Sequence, residues 1–363
     1  MANSTAIEFN PQRFAAWRVS AANIVSFLVL GRGLLVPLAI AVFIWIQITA
    51  IRSELNRIKP GDNPMPGWVA NWLAIFIMLA ASYLGILVLT SQADALSAAI
   101  PTYQANFEAI LVNLTAAFGL EQLPTTESLL SEVDLGAVLR WVGDSITALM
   151  SNVVLIAIYV GCLLADEHVL PTKIRHLNSD PEKAERIAIL ASDVAASIQR
   201  YIGMKTLISL ATGAVSYVIL ILVGIDFAAV WALLVFFLNF IPTIGSIIAA
   251  VFPALLALVQ FDTVTPFLIT AVTLGGTQFI FGNVIEPAYM GKSLNLSSMA
   301  ILLSLSFWGI VWGLAGMFLA VLMMVMSAIV CSQFKGLRWV AVLLSADGSL
   351  ATDARSAQTV PEA

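Results

Sequence analysis

Charge is scarce in this sequence. Of 363 residues only 11% are Asp, Glu, Lys or Arg, against about 25% in soluble domains. Apolar residues reach 60%, more than a soluble core of this size can hide. Only two cysteines occur, Cys162 and Cys331, both in apolar runs. They read as small buried hydrophobes rather than a disulfide pair. The two histidines, His168 and His176, flank a Lys/Arg loop without metal-ligand spacing, so no metal is expected. No basic cluster carries interleaved aromatics, which excludes a nucleic-acid partner. Short alternating strands are missing too, which excludes a β-barrel. The Ser-rich run from Ser293 to Ser306 has no His/Asp base, so no catalytic residue is assigned and the chain is not read as an enzyme. GLAGM lies in an apolar helix and is no phosphate loop, and no cofactor is expected.

What is present is long uncharged apolar sequence. It predicts an all-α, polytopic integral membrane protein with about eight hydrophobic segments and lipid as its solvent. Residues 12–31 read as a retained span, and 33–51 as a second that meets it in a tight hairpin at Gly31-Arg32-Gly33. A clear span follows from Trp68 to Thr90, so that 12–90 forms an N-terminal set of membrane spans.

Residues 91–145 differ. They carry seven acids (Asp94, Glu108, Glu121, Glu127, Glu132, Asp134 and Asp144) and one base, Arg140. Tyr103, Phe107, Ile110, Leu111, Leu114 and Phe118 recur at helical spacing. This is an amphipathic helical region. Residues 146–165 read as a fourth span. Residues 166–205 read as a basic cytoplasmic loop and amphipathic helix that starts at Asp180-Pro181. Residues 206–334 form a membrane core with helix breaks, and 345–363 a disordered tail.

The basic segments at 52–59 and 171–205 are expected on the cytoplasmic side, the acidic 91–145 region outside, and both termini in the cytoplasm.

Two breaks interrupt the core. Asn239, Pro242 and Gly245 fall within LNFIPTIGS. Such a break is either an interfacial turn or a re-entrant element lining a cavity. Glu286 and Lys292 are the only charges between Thr263 and Phe334. Gln278, Asn283 and Glu286 lie at spacings of five and three, close enough to share part of a helical face. Pro287 then limits the helix. An ionisable residue at membrane depth points to function; the alternative is an interfacial Glu286 beside Lys292. Asp226 and Asp262 read as interfacial caps at the ends of apolar runs.

Four segments in order resemble the autoinducer-2 exporter family of bacterial inner-membrane permeases. They are RYIGMKTLISL, FFLNFIPTIGSIIAAVFPALLAL, GNVIEPAYMGKSLNLSS and LSFWGIVWGLAGMFLAV. The resemblance covers residues 20–335. It implies a transporter with about eight hydrophobic segments, an external helical insertion and a homo-oligomeric state. The family's Pro-Gly break falls on Pro242 and Gly245, and its Glu-Pro and Gly-Lys/Arg elements on Glu286, Pro287, Gly291 and Lys292. Ala288, Ser298 and Leu322 depart from it. The missing base at 288 leaves Glu286 freer to bind a proton or cation.

The leading expectation is export of a small polar solute, an autoinducer-2-like signal being the example the resemblance implies. Both breaks would face one cavity, with Asn239, Gln278 and Asn283 as hydrogen-bonding groups and Glu286 as gate or proton carrier. The runner-up is a sodium/proton antiporter, with Glu286 first and Asp226 second as coupling carboxylate. A scaffold acting through residues 91–145 is a third reading.

Overall fold

Apolar sequence placed in lipid must satisfy its own backbone, and helices do so within one segment. The computed structural model describes residues 11–57, 66–118, 151–167, 169, 172–173, 181–261, 263–290, 296–333 and 336–348. Eleven α-helices and one π turn form among them: α1 Pro11–Leu30, α2 Arg32–Arg57, α3 Gly67–Phe118, α4 Val153–Asp166, α5 Pro181–Val223, α6 Ala228–Leu238, α7 Ile244–Gln260, α8 Val264–Ile280, the π turn Phe281–Ile285, α9 Glu286–Met290, α10 Ser298–Gln333 and α11 Arg338–Leu344. Among the described residues, five helical stretches are long and apolar enough to cross a membrane. The protein is an all-α polytopic membrane protein.

Several expected boundaries move. No loop joins α1 to α2. Gly31 donates to the Phe27 carbonyl, and Leu35 donates to Gly31, so helical bonding continues on both sides of a one-residue bend. A boundary at residue 90 is also absent, because α3 runs on for 52 residues, about 78 Å. The expected amphipathic region therefore begins as a continuation of the third span, and residues 119–145 lie outside the described ones. Likewise α5 passes through the expected cytoplasmic-to-membrane boundary at 205–206 as one helix. It begins at Pro181, as expected. Once a span is helical, nothing ends it at the lipid surface unless a cap or breaker intervenes.

The break at 239–243 reverses the chain. Gln260 accepts from the Asp226 amide at 2.9 Å and donates to the Gly224 carbonyl at 2.8 Å, so the start of α6 and the end of α7 lie together. With 11 and 17 residues, the arms measure about 16 and 26 Å. This is a helical hairpin. Gly245 makes the turn possible, because a Cβ there would sit 1.8 Å from the Leu238 carbonyl oxygen. Phe227 and Thr243 take positive φ, 57° and 62°, at the two bends.

A second hairpin hides in α10. Gly313 has φ 64° and ψ −139°, and Ser304 donates to the carbonyl of Ala320, sixteen residues on. Residues 298–312 and 314–333 thus fold back on each other. Gly316 permits the approach, since a Cβ would lie 2.0 Å from the Trp308 carbonyl. The two ends are tied where Ser297 donates to Leu344 at 2.9 Å.

Apolar clusters join these parts. Ile46, Ile198, Ile202 and Leu319 bind α2 and α5 to the second arm of α10. Ile241, at the tip of the α6–α7 hairpin, packs with Leu305, Trp308 and Trp312. Phe240 beside it meets Phe43 and Phe318, with ring centroids at 5.7 and 5.0 Å. Each such aromatic contact adds about 0.5–1.5 kcal/mol beyond its buried area. The tip is therefore held rigidly in mid-protein.

Candidate functional site

The rigid tip presents Asn239 to α5. Asn239 is 7% exposed and its Nδ2 donates to Ser209 Oγ at 2.9 Å. One turn earlier on α5 stands Lys205, 5% exposed. Its Nζ donates to both carboxylate oxygens of Glu286, at 2.8 and 2.7 Å. Lys205 belongs to the apolar stretch Ala195–Val223, about 15 Å of helix beyond Ala195. A polar group so deeply buried is tolerated where it is paired and hydrogen-bonded, as here. The Glu286 side chain is 23% exposed, so one side of the pair opens to its surroundings.

Glu286 reaches Lys205 because of the π turn that precedes it. Pro287 has no amide hydrogen and crowds the carbonyl four residues back. The helix responds by widening over Phe281–Ile285 and then continues to Met290. Glu286 itself stays helical, with φ −57° and ψ −50°. The expectation that Pro287 limits the helix is thus corrected, since the π turn relieves the clash that would stop it.

The other expected residues separate. Gln278 is buried at 8% on α8. Asn283 is exposed and its Nδ2 donates back to Phe279 of its own helix. It does not share a face with Gln278, because five residues of helix turn the chain about 140° past a full turn. Pro242 and Gly245 shape the hairpin tip rather than offering polar groups. Lys292, Gly291 and Asp262 lie outside the described residues. Glu286 is not free of a local base, as the missing base at 288 suggested, since Lys205 occupies both its oxygens.

Asp226 sits at the opposite end, since α5 extends 18 residues from Lys205 to Val223, about 27 Å. Asp226 is exposed and accepts from Tyr103 Oη at 2.7 Å. Asn106 donates to the Val259 carbonyl at 2.8 Å. The extension of α3 is thereby fastened across both ends of the α6–α7 hairpin. Burial, the hydrogen bond to Asp226 and its negative charge all raise the Tyr103 pKa above its ordinary value of 10.0.

Lys205 is the residue that sequence reasoning missed. Its signal was present, as a lone lysine followed by twenty uncharged residues up to Ile225. Two further polar ties hold α5 against α2: Gln47 donates to Thr206, and Gln199 donates to Thr49 at 3.0 Å. At the end of α2 Arg52 pairs with Glu167 beyond α4. Among the described residues, no group of three or more His, Cys, Asp or Glu could hold a metal ion.

A family model described as the AI-2E family transporter matches residues 19–336. The AI-2 transport protein TqsA of Escherichia coli K12 is 31% identical over 86% of this chain and 89% of its own length. YhhT of the same organism, named only as a candidate transport protein, is 29% identical over 78% of this chain and 83% of its own. A Haemophilus influenzae relative with the same kind of name is 27% identical over 80% and 84%. A match over most of the chain, spanning both helical hairpins and the Lys205–Glu286 pair, shows that this protein belongs to the AI-2E transporter family.

Proposed function

We propose that the protein exports a small polar solute by alternating access, with the Lys205–Glu286 pair as its charged centre. The observation that carries this reading is the pair itself, held between two membrane helices one turn from the hairpin tip that bears Asn239. Discontinuous helices that bring polar groups to mid-membrane are the recurring form of a solute site in transporters. The name of the TqsA relative supports an autoinducer-2-like signal as the solute.

A solute carrying hydroxyls or a diffuse negative charge competes with Glu286 for the Lys205 ammonium. Its arrival would part the pair, and its release would let the pair reform. That exchange gives the site two states, which alternating access requires. A sodium/proton antiporter is less favoured, because a cation would first have to displace Lys205 from both Glu286 oxygens.

The reading places the protein in a bacterial inner membrane, with both termini cytoplasmic, as a homo-oligomer. The exposed face of α3, with Trp68, Trp72, Phe76 and Tyr83, suits lipid or a second copy.

Transport by purified protein in liposomes tests the function. Wild type should release autoinducer-2-like solute, and Glu286→Gln should lower that rate by at least about tenfold, the equivalent of 1.4 kcal/mol in the barrier. A sodium-dependent internal pH change without solute release would favour the antiporter instead.

A further inference from the structure

The buried faces of α5 and α8 hold more polar groups than their protein partners satisfy. Lys205, Ser209, Thr212 and Ser216 follow at spacings of four, three and four, which sets them on one face of α5. They are 5%, 0%, 0% and 0% exposed. From α8 come Thr270, Thr277 and Gln278, also buried. The helices run antiparallel: Lys205 and Glu286 tie one end, while Leu220 and Leu274 share a cluster near the other.

Some of these groups are accounted for. Ser209 accepts from Asn239, Thr212 donates to the Ile208 carbonyl, and Thr277 donates to Thr273. Ser216 Oγ and Gln278 Nε2 are buried with no hydrogen-bond partner, as is Thr270 Oγ1, which lies one turn past Leu274 and outside this stretch. In hydrocarbon an unmet polar group is costly, and a polar site with two or more such groups retains water.

The ends of the interface differ. At one end the Glu286 side chain is partly exposed. At the other, Leu220, Ile225, Ala257 and Leu274 are 0%, 4%, 0% and 1% exposed and form an apolar plug. Gln278 and Ser216 lie between, eight residues from Glu286 and eleven from Lys205 along their helices, or about 12 and 16 Å.

We propose that this interface holds a file of water running from Glu286 to Ser216 and Gln278 and ending beneath the Leu220–Leu274 plug. Its ligand is water and, along the water, protons. Hydroxyls at 209, 212 and 216 both accept and donate, so a proton can pass from water to water beside them. The file opens at its other end on the Lys205–Glu286 pair, where Glu286 is partly exposed. Use of the file by protons rests on the transporter reading, whereas the hydration does not.

The test uses the full chain with Cys162 and Cys331 replaced by serine. Ser216→Cys and Leu220→Cys, one turn apart on α5, are exposed to aqueous silver ion, and loss of free thiol is followed. Ser216→Cys should react at least about tenfold faster, because burial in apolar surroundings suppresses the thiolate. Equal, slow rates would overturn the proposal. Ser216→Ala supplies a second readout. A hydrated hydroxyl loses its water bonds on substitution, so the melting temperature should fall by about 2 °C. In a dry interface the same change removes an unpaired polar group and raises it, which would also overturn the proposal. Neither measurement depends on transport, so failure of the export reading would leave both intact.

Discussion

Lys205, buried at 5% exposure, finds its ion-pair partner in Glu286. Removing one member strands the other in low dielectric, at a cost of roughly 3 kcal/mol for a pair that keeps one partly exposed side. Glu286→Gln should therefore lower stability by about that amount, read as thermal unfolding of the purified protein. Lys205→Met combined with Glu286→Gln should recover most of the loss, because no charge is left unpaired, and should still fail to transport. If the double variant is as unstable as the single one, the pair is not what burial of Lys205 depends on. At this scale the sequence was half legible. Glu286 stood out because it is isolated among apolar residues. Its partner lies 81 positions away, a distance no local pattern spans, and Lys205 looked like the last member of a basic loop. Asn283 was misplaced for another reason: at a spacing of five, two helical residues point about 140° apart, which is too far to share a face.

Among the elements, the α6–α7 hairpin depends on close backbone contact at Gly245. Gly245→Ala would press a methyl group into the Leu238 carbonyl, and the tip must then open. The expected outcome is loss of folded protein or a stability drop of at least about 3 kcal/mol, as for other overpacked sites. Gly275→Ala serves as the control, because nothing lies within 4 Å of a Cβ there. The outer fastening of α3 responds to pH. The neutral Tyr103 phenol donates to Asp226 and its pKa is raised in the fold. Its contribution is complete below pH 10.0, the ordinary value, and is lost as pH climbs above it. Tyr103→Phe should weaken the fastening by about 1 kcal/mol at neutral pH and abolish that alkaline dependence. Proteolysis of the α3 extension followed against pH would measure both. The break at 239–246 was readable from Asn, Pro and Gly in an apolar run. Its direction was not, because reversal is fixed by Gln260 bonding back to Gly224 and Asp226, 36 and 34 residues away.

Over the whole molecule the two hairpins set which segments share a side. Asp226 and Gln260 are tied together, as are Ser297 and Leu344. Cysteines at 226 and 260 should thus be labelled from the same side of the membrane by an impermeant reagent. Cysteines at 297 and 344 should both be labelled from one side as well. Labelling of 226 and 260 from opposite sides would mean that α6 and α7 form a single crossing. Class was legible in composition alone, since so little charge over so long a chain leaves only lipid as solvent. Segment ends were less so, because α3 and α5 carry helical bonding straight through the positions where the apolar pattern fades.

The shortness of α6 also bears on how the protein is made. Eleven residues reach about 16 Å, half the thickness of the bilayer core. As the chain emerges during synthesis, that arm has no stable resting place in lipid on its own. It must wait beside the insertion machinery until α7 has been made, and the two must enter together, already folded about Pro242. Gly245, needed for that turn, thus bears on the yield of protein as well as on its shape.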